Sequence, residues 1–130
     1  MTRQRNDTHS TEFGLWLREQ PNLDSKLGYA ATNLDYIWLN YKTGQWMLIE
    51  EKRYGADVSF CQRELLMLVH DACHAAAEYY GVHLLVFEKT TPDDGGIRLD
   101  RQDITREELI AFLQFDTKTL ARFHVHEKAS

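Results

Sequence analysis

The stretch WMLIEEK, residues 46–52, decides the fold predicted for this chain. Its first four residues are apolar and its last three are charged, which is typical of a strand that ends in charged side chains. Because side chains alternate between the two faces of a strand, Leu48, Glu50 and Lys52 share one face and Glu51 points to the other. The stretch therefore predicts a strand that presents a carboxylate and an ammonium on the same side of a sheet.

A second strand is predicted immediately upstream, over LDYIWL, residues 34–39. The connection YKTG between the two runs has the length and the glycine of a hairpin loop. If Asn40 faces Gln45 across this loop, the antiparallel register pairs Asp35 with Glu50. Directly opposed residues have Cβ atoms about 4.5–5.5 Å apart, so the two carboxylates could share one ion. A slip of one residue would separate them.

The opposed carboxylates of Asp35 and Glu50 predict a divalent cation. Two adjacent carboxylates repel each other and do not both ionise easily near neutral pH without a cation between them. Magnesium accepts one or two carboxylates together with water and phosphate oxygens. A lysine beside it stabilises an attacking hydroxide or the charge that develops on the phosphate. The pattern predicts phosphodiester hydrolysis with Mg²⁺, for which Mn²⁺ would substitute.

A surface charge pair is the alternative interpretation of the same residues. Lys52 would then be only the salt-bridge partner of the two acids. The apolar neighbours Ile37, Leu39, Leu48 and Ile49 favour a buried hairpin, where unpaired acids are costly and are usually functional.

The order of Asp35 and then Glu50-Glu51-Lys52 resembles the D…(D/E)xK signature of the PD-(D/E)XK nuclease superfamily. The resemblance covers roughly residues 10 to 90. It implies an α/β fold with the restriction endonuclease-like αβββαβ core, in which a mixed central sheet is flanked by helices. Leu34 stands where the family name has proline, which many members also lack.

The resemblance also implies a role for each residue of the predicted site. Asp35 and Glu50 would bind the metal, and Lys52 would position the attacking water and stabilise charge. Glu12, on the predicted first helix, would be an auxiliary metal ligand, directly or through water. Gln62, which opens the helix after the motif, would be a supporting polar contact in the active site.

Glu12 and Gln62 also have structural explanations, and both remain open. Glu12 would lie in the first turn of a helix capped by Ser10 or Thr11, where a negative charge suits the helix dipole. Gln62 would occupy the third position of a helix capped by Ser59, which completes an S-x-x-Q capping box.

The neighbouring stretches predict the first strand and the central helix of that core. LGYAA, residues 27–31, predicts the first strand of the meander. The helix after Ser59 carries an apolar stripe that runs through Leu65 and Val69 to Tyr80, and Gly81 is predicted to end it.

The second half of the chain predicts further strands and a last helix. VHLLVF, residues 82–87, predicts a strand that is buried on both faces and joined to the hairpin by a helical crossover. IRL, residues 97–99, predicts a short edge strand, and Thr105 with Glu108 predicts a capping box that opens the last helix.

Length and composition predict one compact domain over residues 1–130, since 43% of its 130 residues are hydrophobic. Residues 1–9 and 117–130 are predicted to be loose or to contact a dimer partner. There is no apolar run near the ~20 residues of a membrane span and no hydrophobic leader. We therefore expect a cytoplasmic protein without membrane contact, either cellular or encoded by a virus or mobile element.

The net charge of −5 is unusual for a DNA-binding protein. Residues 1–63 contain eight Lys or Arg and eight Asp or Glu, whereas residues 64–130 contain seven and twelve. The half that carries the motif is therefore balanced, and a bound cation would leave it positive.

A zinc site is a further alternative for the central helix. His70, Cys73 and His74 lie at i, i+3 and i+4 and share one helix face. Cys61 and His83 are conceivable fourth ligands, although neither has compelling spacing. Trp16, Trp38 and Trp46 are more typical of core or interface than of base-stacking surfaces.

These patterns together predict a Mg²⁺-dependent DNA endonuclease. The motif order is especially similar to archaeal and phage-type Holliday junction resolvases, which implies a four-way junction as substrate and a homodimer with two-fold symmetry. A nuclease acting on ends, flaps or single strands is one alternative. A non-catalytic protein-interaction module that retains the fold is the other.

Overall fold

The chain divides into two compact units, Met1–Thr32 and Asn33–Ser130, and the computed structural model describes residues 12–123. The first unit contains α1 (Glu12–Arg18) and two short 3-10 helices, Pro21–Leu23 and Ser25–Leu27. None of these three elements buries a residue. The sheet and the hydrophobic core described below therefore belong to the second unit.

The second unit is built on a five-stranded mixed sheet with strand order β1-β2-β3-β4-β5. Neighbouring strands are antiparallel except β2 and β3, which are parallel. The α/β class with a mixed sheet is thus confirmed. The strands are β1 (Tyr36–Leu39), β2 (Trp46–Lys52), β3 (Tyr79–Phe87), β4 (Ile97–Leu99) and β5 (Gln102–Ile104), and the helices are α2 (Phe60–Cys73), α3 (Arg106–Leu113) and α4 (Thr117–Arg122).

The hairpin of β1 and β2 has the predicted register. Tyr36 pairs with Ile49 and Leu39 with Trp46, and the Asn40 N–H donates to the Gln45 carbonyl at 2.8 Å. Continuing this register by one residue beyond Tyr36 places Asp35 opposite Glu50. The parallel pairing of β2 with β3 across the α2 connection was also predicted, because parallel neighbours require a crossover.

The two faces of the sheet are covered by different helices. On one face, buried residues of β2 to β5 form a core with α3 and α4, and Phe112 packs edge-to-face on His83 at 4.9 Å between ring centroids. On the other face lies α2, whose His70 contacts Tyr79 and whose Gln62 contacts Glu50. Glu50 and Lys52 therefore face α2, and Met47 and Ile49 face the core.

Four features of the structure correct the sequence-based expectations. Residues 27–31 form no strand: Leu27 ends a 3-10 helix and Tyr29 is exposed. The three-stranded meander of the predicted core is therefore wrong, because among the described residues only β1 and β2 precede α2. A single extended run cannot satisfy its backbone groups as a strand without a neighbour to pair with.

The central helix ends earlier than predicted. It stops at Cys73, whereas Tyr80 and Gly81 belong to β3. Tyr79 is fully buried against Trp46, with ring centroids 4.8 Å apart, and the Trp46 N–H donates to the Glu78 carbonyl at 2.9 Å. Burying this tyrosine and extending the parallel pairing outweigh the helix propensity of the preceding alanines.

The edge of the sheet and the C-terminal part of the second unit also differ from expectation. The strand Ile97–Leu99 was predicted at the edge, but β5 lies beyond it. Residues 117–122, predicted to be loose or to contact a dimer partner, are not loose, because they form α4, in which Leu120 is buried. Phe123 after it is buried as well. The apolar residues Leu120 and Phe123 were the sequence signal that could have predicted this packed helix.

Among the described residues, no helix is both long and apolar enough to cross a bilayer.

Candidate active site

Glu50 is the centre of the candidate site. It lies in β2, between β1 and β3, and only 3% of its surface is exposed. Its Oε1 atom is buried without a hydrogen-bond partner, the only such side-chain atom among residues 12–123. Burial raises the pKa of the Glu50 carboxyl, the negative charge of Asp35 raises it further, and the Lys52 ammonium opposes both.

Lys52 and Gln62 hold the second oxygen of Glu50. The Lys52 ammonium lies 3.6 Å from Glu50 Oε2 and donates a hydrogen bond to Gln62 Oε1 at 2.9 Å. The Gln62 amide nitrogen is 3.5 Å from the same Glu50 oxygen. The three side chains therefore form one connected polar group between β2 and the first turn of α2.

The predicted capping box of α2 is confirmed, and it includes a residue of this group. Ser59 Oγ accepts from the Gln62 N–H at 3.1 Å, and Gln62 Oε1 accepts from the Ser59 N–H at 3.1 Å. Gln62 Oε1 thus accepts from both the helix cap and Lys52. The two explanations of Gln62 do not exclude each other, because the cap fixes the orientation in which its amide reaches Glu50.

Asp35 lies just before β1, the strand that pairs with the Glu50-bearing strand β2. It is half-buried, and its Oδ2 atom accepts a hydrogen bond from the Glu51 N–H at 2.9 Å. This bond fixes the carboxylate against the end of β2. The structure therefore brings together four predicted site residues: Asp35 just before β1, Glu50 and Lys52 in β2, and Gln62 in α2.

Glu51 points to the opposite face, as the alternation predicts. Its carboxylate accepts from the Tyr36 hydroxyl at 3.2 Å and from Arg53 Nε at 2.8 Å. The charge and hydrogen bonding of Glu51 raise the pKa of Tyr36. These contacts neutralise Glu51 and hold it away from the Glu50 side of the sheet.

Glu12, the predicted auxiliary ligand, lies on α1. It is the first residue of that helix and belongs to the unit Met1–Thr32, whereas Asp35, Glu50 and Lys52 belong to the unit Asn33–Ser130. Its role as an auxiliary ligand stays a prediction. The predicted caps Ser10 and Thr11 lie outside the described residues, as does the second half of the predicted tail 117–130, from residue 124 onwards.

The zinc alternative for α2 finds no support in the positions of its residues. His70 Nδ1 lies 2.8 Å from the Tyr79 hydroxyl. His83 lies on the other face, with its ring nitrogens 2.6 Å from Asp100 Oδ2 and 2.7 Å from the Tyr80 carbonyl. Within residues 12–123 there is no group of three or more His, Cys, Asp or Glu side chains that could hold a metal.

The pair Asp35 and Glu50 nevertheless fits a hard divalent cation. Mg²⁺ in proteins commonly has only one or two carboxylate ligands and completes its octahedron with water and substrate oxygens. A buried carboxylate oxygen without a partner is costly in a protein interior, and a cation would satisfy Glu50 Oε1. Residues present at this position therefore suit Mg²⁺ or Mn²⁺ better than zinc, which prefers nitrogen and sulfur ligands.

Trp38 and Trp46 have the structural role that the sequence favours, whereas Trp16 is exposed on α1. Trp38 Nε1 donates to the Leu113 carbonyl at 2.8 Å, and Trp46 Nε1 donates to the Ala77 carbonyl at 3.1 Å. Both indoles thus tie the hairpin to other parts of the second unit.

Comparison of the chain with known proteins found no matching family model, no matching curated protein and no matching solved structure.

Proposed function

We propose that this protein is a DNA endonuclease that depends on Mg²⁺ and accepts Mn²⁺. The observation that carries the proposal is Glu50: a buried carboxylate with one oxygen lacking a partner, opposite Asp35 and beside Lys52. Leaving one oxygen of a buried carboxylate unpaired costs free energy, and buried acids of this kind are usually functional.

Asp35 and Glu50 would hold the cation in this proposal. When bound, the cation would polarise the scissile phosphate and lower the pKa of a bound water. Lys52, held by Gln62 at 2.9 Å, would place its ammonium beside the charge that develops on the phosphate oxygens. Gln62 would act as a positioning residue, since its amide fixes Lys52 and at the same time contacts Glu50.

The charge distribution of the motif-bearing half is compatible with a phosphate backbone. The formal balance of residues 1–63 is zero, so one divalent cation makes this half positive. Binding would be modest and would weaken with added salt, as expected when few counterions are released.

The proposed substrate is branched DNA, with a four-way junction as the specific prediction. The resemblance to junction resolvases supports that choice, and it implies a homodimer whose two sites cut symmetrically. Nuclease action on flaps, ends or single strands is the alternative within the same chemistry. A non-catalytic interaction module remains the alternative from another class.

Cleavage of labelled DNA tests the proposal directly. Four-way, flapped, single-stranded and linear substrates are incubated with the protein, with and without Mg²⁺. We expect metal-dependent cleavage that falls by about a hundredfold or more in Asp35→Asn, Glu50→Gln and Lys52→Ala, the scale for loss of a transition-state charge contact.

Glu64→Gln is the matched control. Glu64 is an exposed glutamate on α2, two residues beyond Gln62, and this variant should cleave as the unmodified protein does. Equal cleavage by Glu50→Gln and Glu64→Gln would refute the catalytic proposal. Cleavage that does not require added metal would refute the role of the cation.

A further inference from the structure

Tyr54 has an unusual backbone conformation for an aromatic residue. Its φ is 55°, in the left-handed region that favours glycine, and Gly55 follows with a φ of 70°. A bulky residue in this region is a genuine outlier and commonly marks a functional position. The tyrosine lies two residues beyond Lys52 in the sequence.

Backbone hydrogen bonds fix this conformation, but the Tyr54 side chain is not stabilised by burial. The Tyr54 N–H donates to the Lys89 carbonyl at 3.0 Å, and the Gly55 N–H donates to the Phe87 carbonyl at 3.0 Å. Yet 73% of Tyr54 is exposed. Glycine would adopt this backbone conformation with less strain. The exposed aromatic ring therefore suits contact with a binding partner better than packing within this chain.

Two further side chains, Tyr36 and Arg53, lie at the open end of the hairpin, away from its loop. Tyr36 is 51% exposed, and its hydroxyl is anchored to Glu51. Arg53 is anchored to the other oxygen of Glu51. The hydrogen bond and charge of Glu51 raise the pKa of Arg53, and Tyr54 directly follows Arg53 in the chain.

Tyr36, Arg53 and Tyr54 are close in sequence to residues of the candidate site. Tyr36 directly follows Asp35 on the edge strand β1, and Arg53 directly follows Lys52. Tyr36 lies on the same face of the sheet as Glu51, to which its hydroxyl is tied, and Arg53 and Tyr54 lie just beyond the end of β2.

We propose that Tyr36, Arg53 and Tyr54 form a surface, here called the edge platform, that binds unpaired nucleotides next to the phosphate held at Asp35 and Glu50. This inference rests on the proposed function and, among the substrates named there, favours flapped or single-stranded DNA over a fully paired four-way junction. Exposed aromatic rings stack on bases, and a guanidinium among them adds cation–π and phosphate contacts. Bases inside a duplex are already stacked, so the platform selects DNA with unpaired nucleotides beside the branch point.

Binding without metal tests the edge platform separately from catalysis. Fluorescence anisotropy in EDTA compares a fully paired duplex with the same duplex carrying a short single-stranded flap. Tyr54→Ala should weaken binding of the flapped DNA by about tenfold, the scale of one lost base–aromatic stack. Tyr54→Phe keeps the ring and should bind as the unmodified protein does.

Two further variants separate the platform from general effects. Tyr54→Gly removes the ring and the backbone strain together, so it should lose binding as Tyr54→Ala does without lowering the melting temperature. Tyr41→Ala removes a comparably exposed tyrosine from the hairpin loop and should bind both DNAs normally.

Three results would overturn the platform: flapped DNA bound equally well by Tyr54→Ala and the unmodified protein, an equal loss on the paired duplex, or an equal loss in Tyr54→Phe. Failure of the nuclease proposal looks different. In that case Glu50→Gln would leave any cleavage unchanged, while the Tyr54 variants would still lose metal-free binding of flapped DNA.

Discussion

At the scale of single residues, Glu50 and Glu51 show how one position along a strand decides the role of a glutamate. The two are chemically identical neighbours, yet Glu51 accepts from Tyr36 and Arg53. Glu50 keeps an oxygen without a partner in the interior. The difference follows from strand alternation alone, which is why it was readable from the sequence.

Glu50→Gln should stabilise the protein at neutral pH when no divalent cation is present. The pKa of Glu50 is raised in the folded protein, so folding disfavours its charged form. The free energy of unfolding therefore falls as pH rises through the folded pKa and is regained below the unfolded value. Urea denaturation at pH 7 and at acidic pH should show the advantage of the variant shrinking on acidification.

Glu64→Gln is again the control, and its stability should not differ from that of the unmodified protein at either pH. A Glu50→Gln protein that is less stable at pH 7 without a cation would mean that the Glu50 carboxylate is well satisfied by Lys52 and Gln62.

At the scale of elements, the first turn of α2 joins helix capping to the candidate site. Ser59→Ala removes one half of the capping box and should lower the free energy of unfolding by about 1 kcal/mol. Gln62→Ala should cost a similar amount and, in addition, release Lys52. If Gln62 positions Lys52, cleavage falls in Gln62→Ala and persists in Ser59→Ala. Equal cleavage by both variants would reduce Gln62 to a capping residue.

A bulge in β3 sets how this strand aligns with β2. The parallel register shifts between Trp46 and Leu48, near Gly81, which has a φ of 97°. A Cβ at Gly81 would also lie 3.2 Å from His83 Nε2. Gly81→Ala should therefore destabilise the protein by about 1–2 kcal/mol, the cost of a side chain in the left-handed region. Urea denaturation measures it, and an unchanged midpoint would argue against the bulge.

Sequence patterns predicted the hairpin and both capping boxes because each depends on residues close together in the chain. The register of Asp35 with Glu50 follows from loop length, and Ser59 with Gln62 is a local motif. The end of α2 at Cys73 could not be predicted, because it depends on burying Tyr79 against Trp46 from a distant strand. The proposed edge platform left only a faint signal in the sequence, since the left-handed conformation of Tyr54 depends on the carbonyls of Phe87, at the end of β3, and of Lys89 just after it.

At the scale of the whole molecule, the proposed homodimer would use the edge strand β1. Its four residues are uncharged, apolar or aromatic, and all exposed, and β1 pairs with β2 alone among the described strands. Such an edge favours pairing with a second copy of the same strand. A two-fold axis through that pairing would give the two related sites that symmetric cutting requires.

Light scattering coupled to size exclusion tests the dimer. We expect a mass twice the 15.2 kDa of the chain, and a shift towards the single-chain mass in Ile37→Lys, since Ile37 is exposed by 68%. A charge on an edge strand opposes strand pairing between copies. The mass of one chain for the unmodified protein at high concentration would exclude this dimer.

The central claim is that Asp35 and Glu50 hold one divalent cation between two neighbouring strands. Calorimetric titration with Mn²⁺ measures this directly, without DNA and without turnover. We predict one saturable site per chain, lost in both Asp35→Asn and Glu50→Gln and retained in Glu64→Gln. Binding of equal strength in the unmodified protein and in Glu50→Gln would contradict the claim.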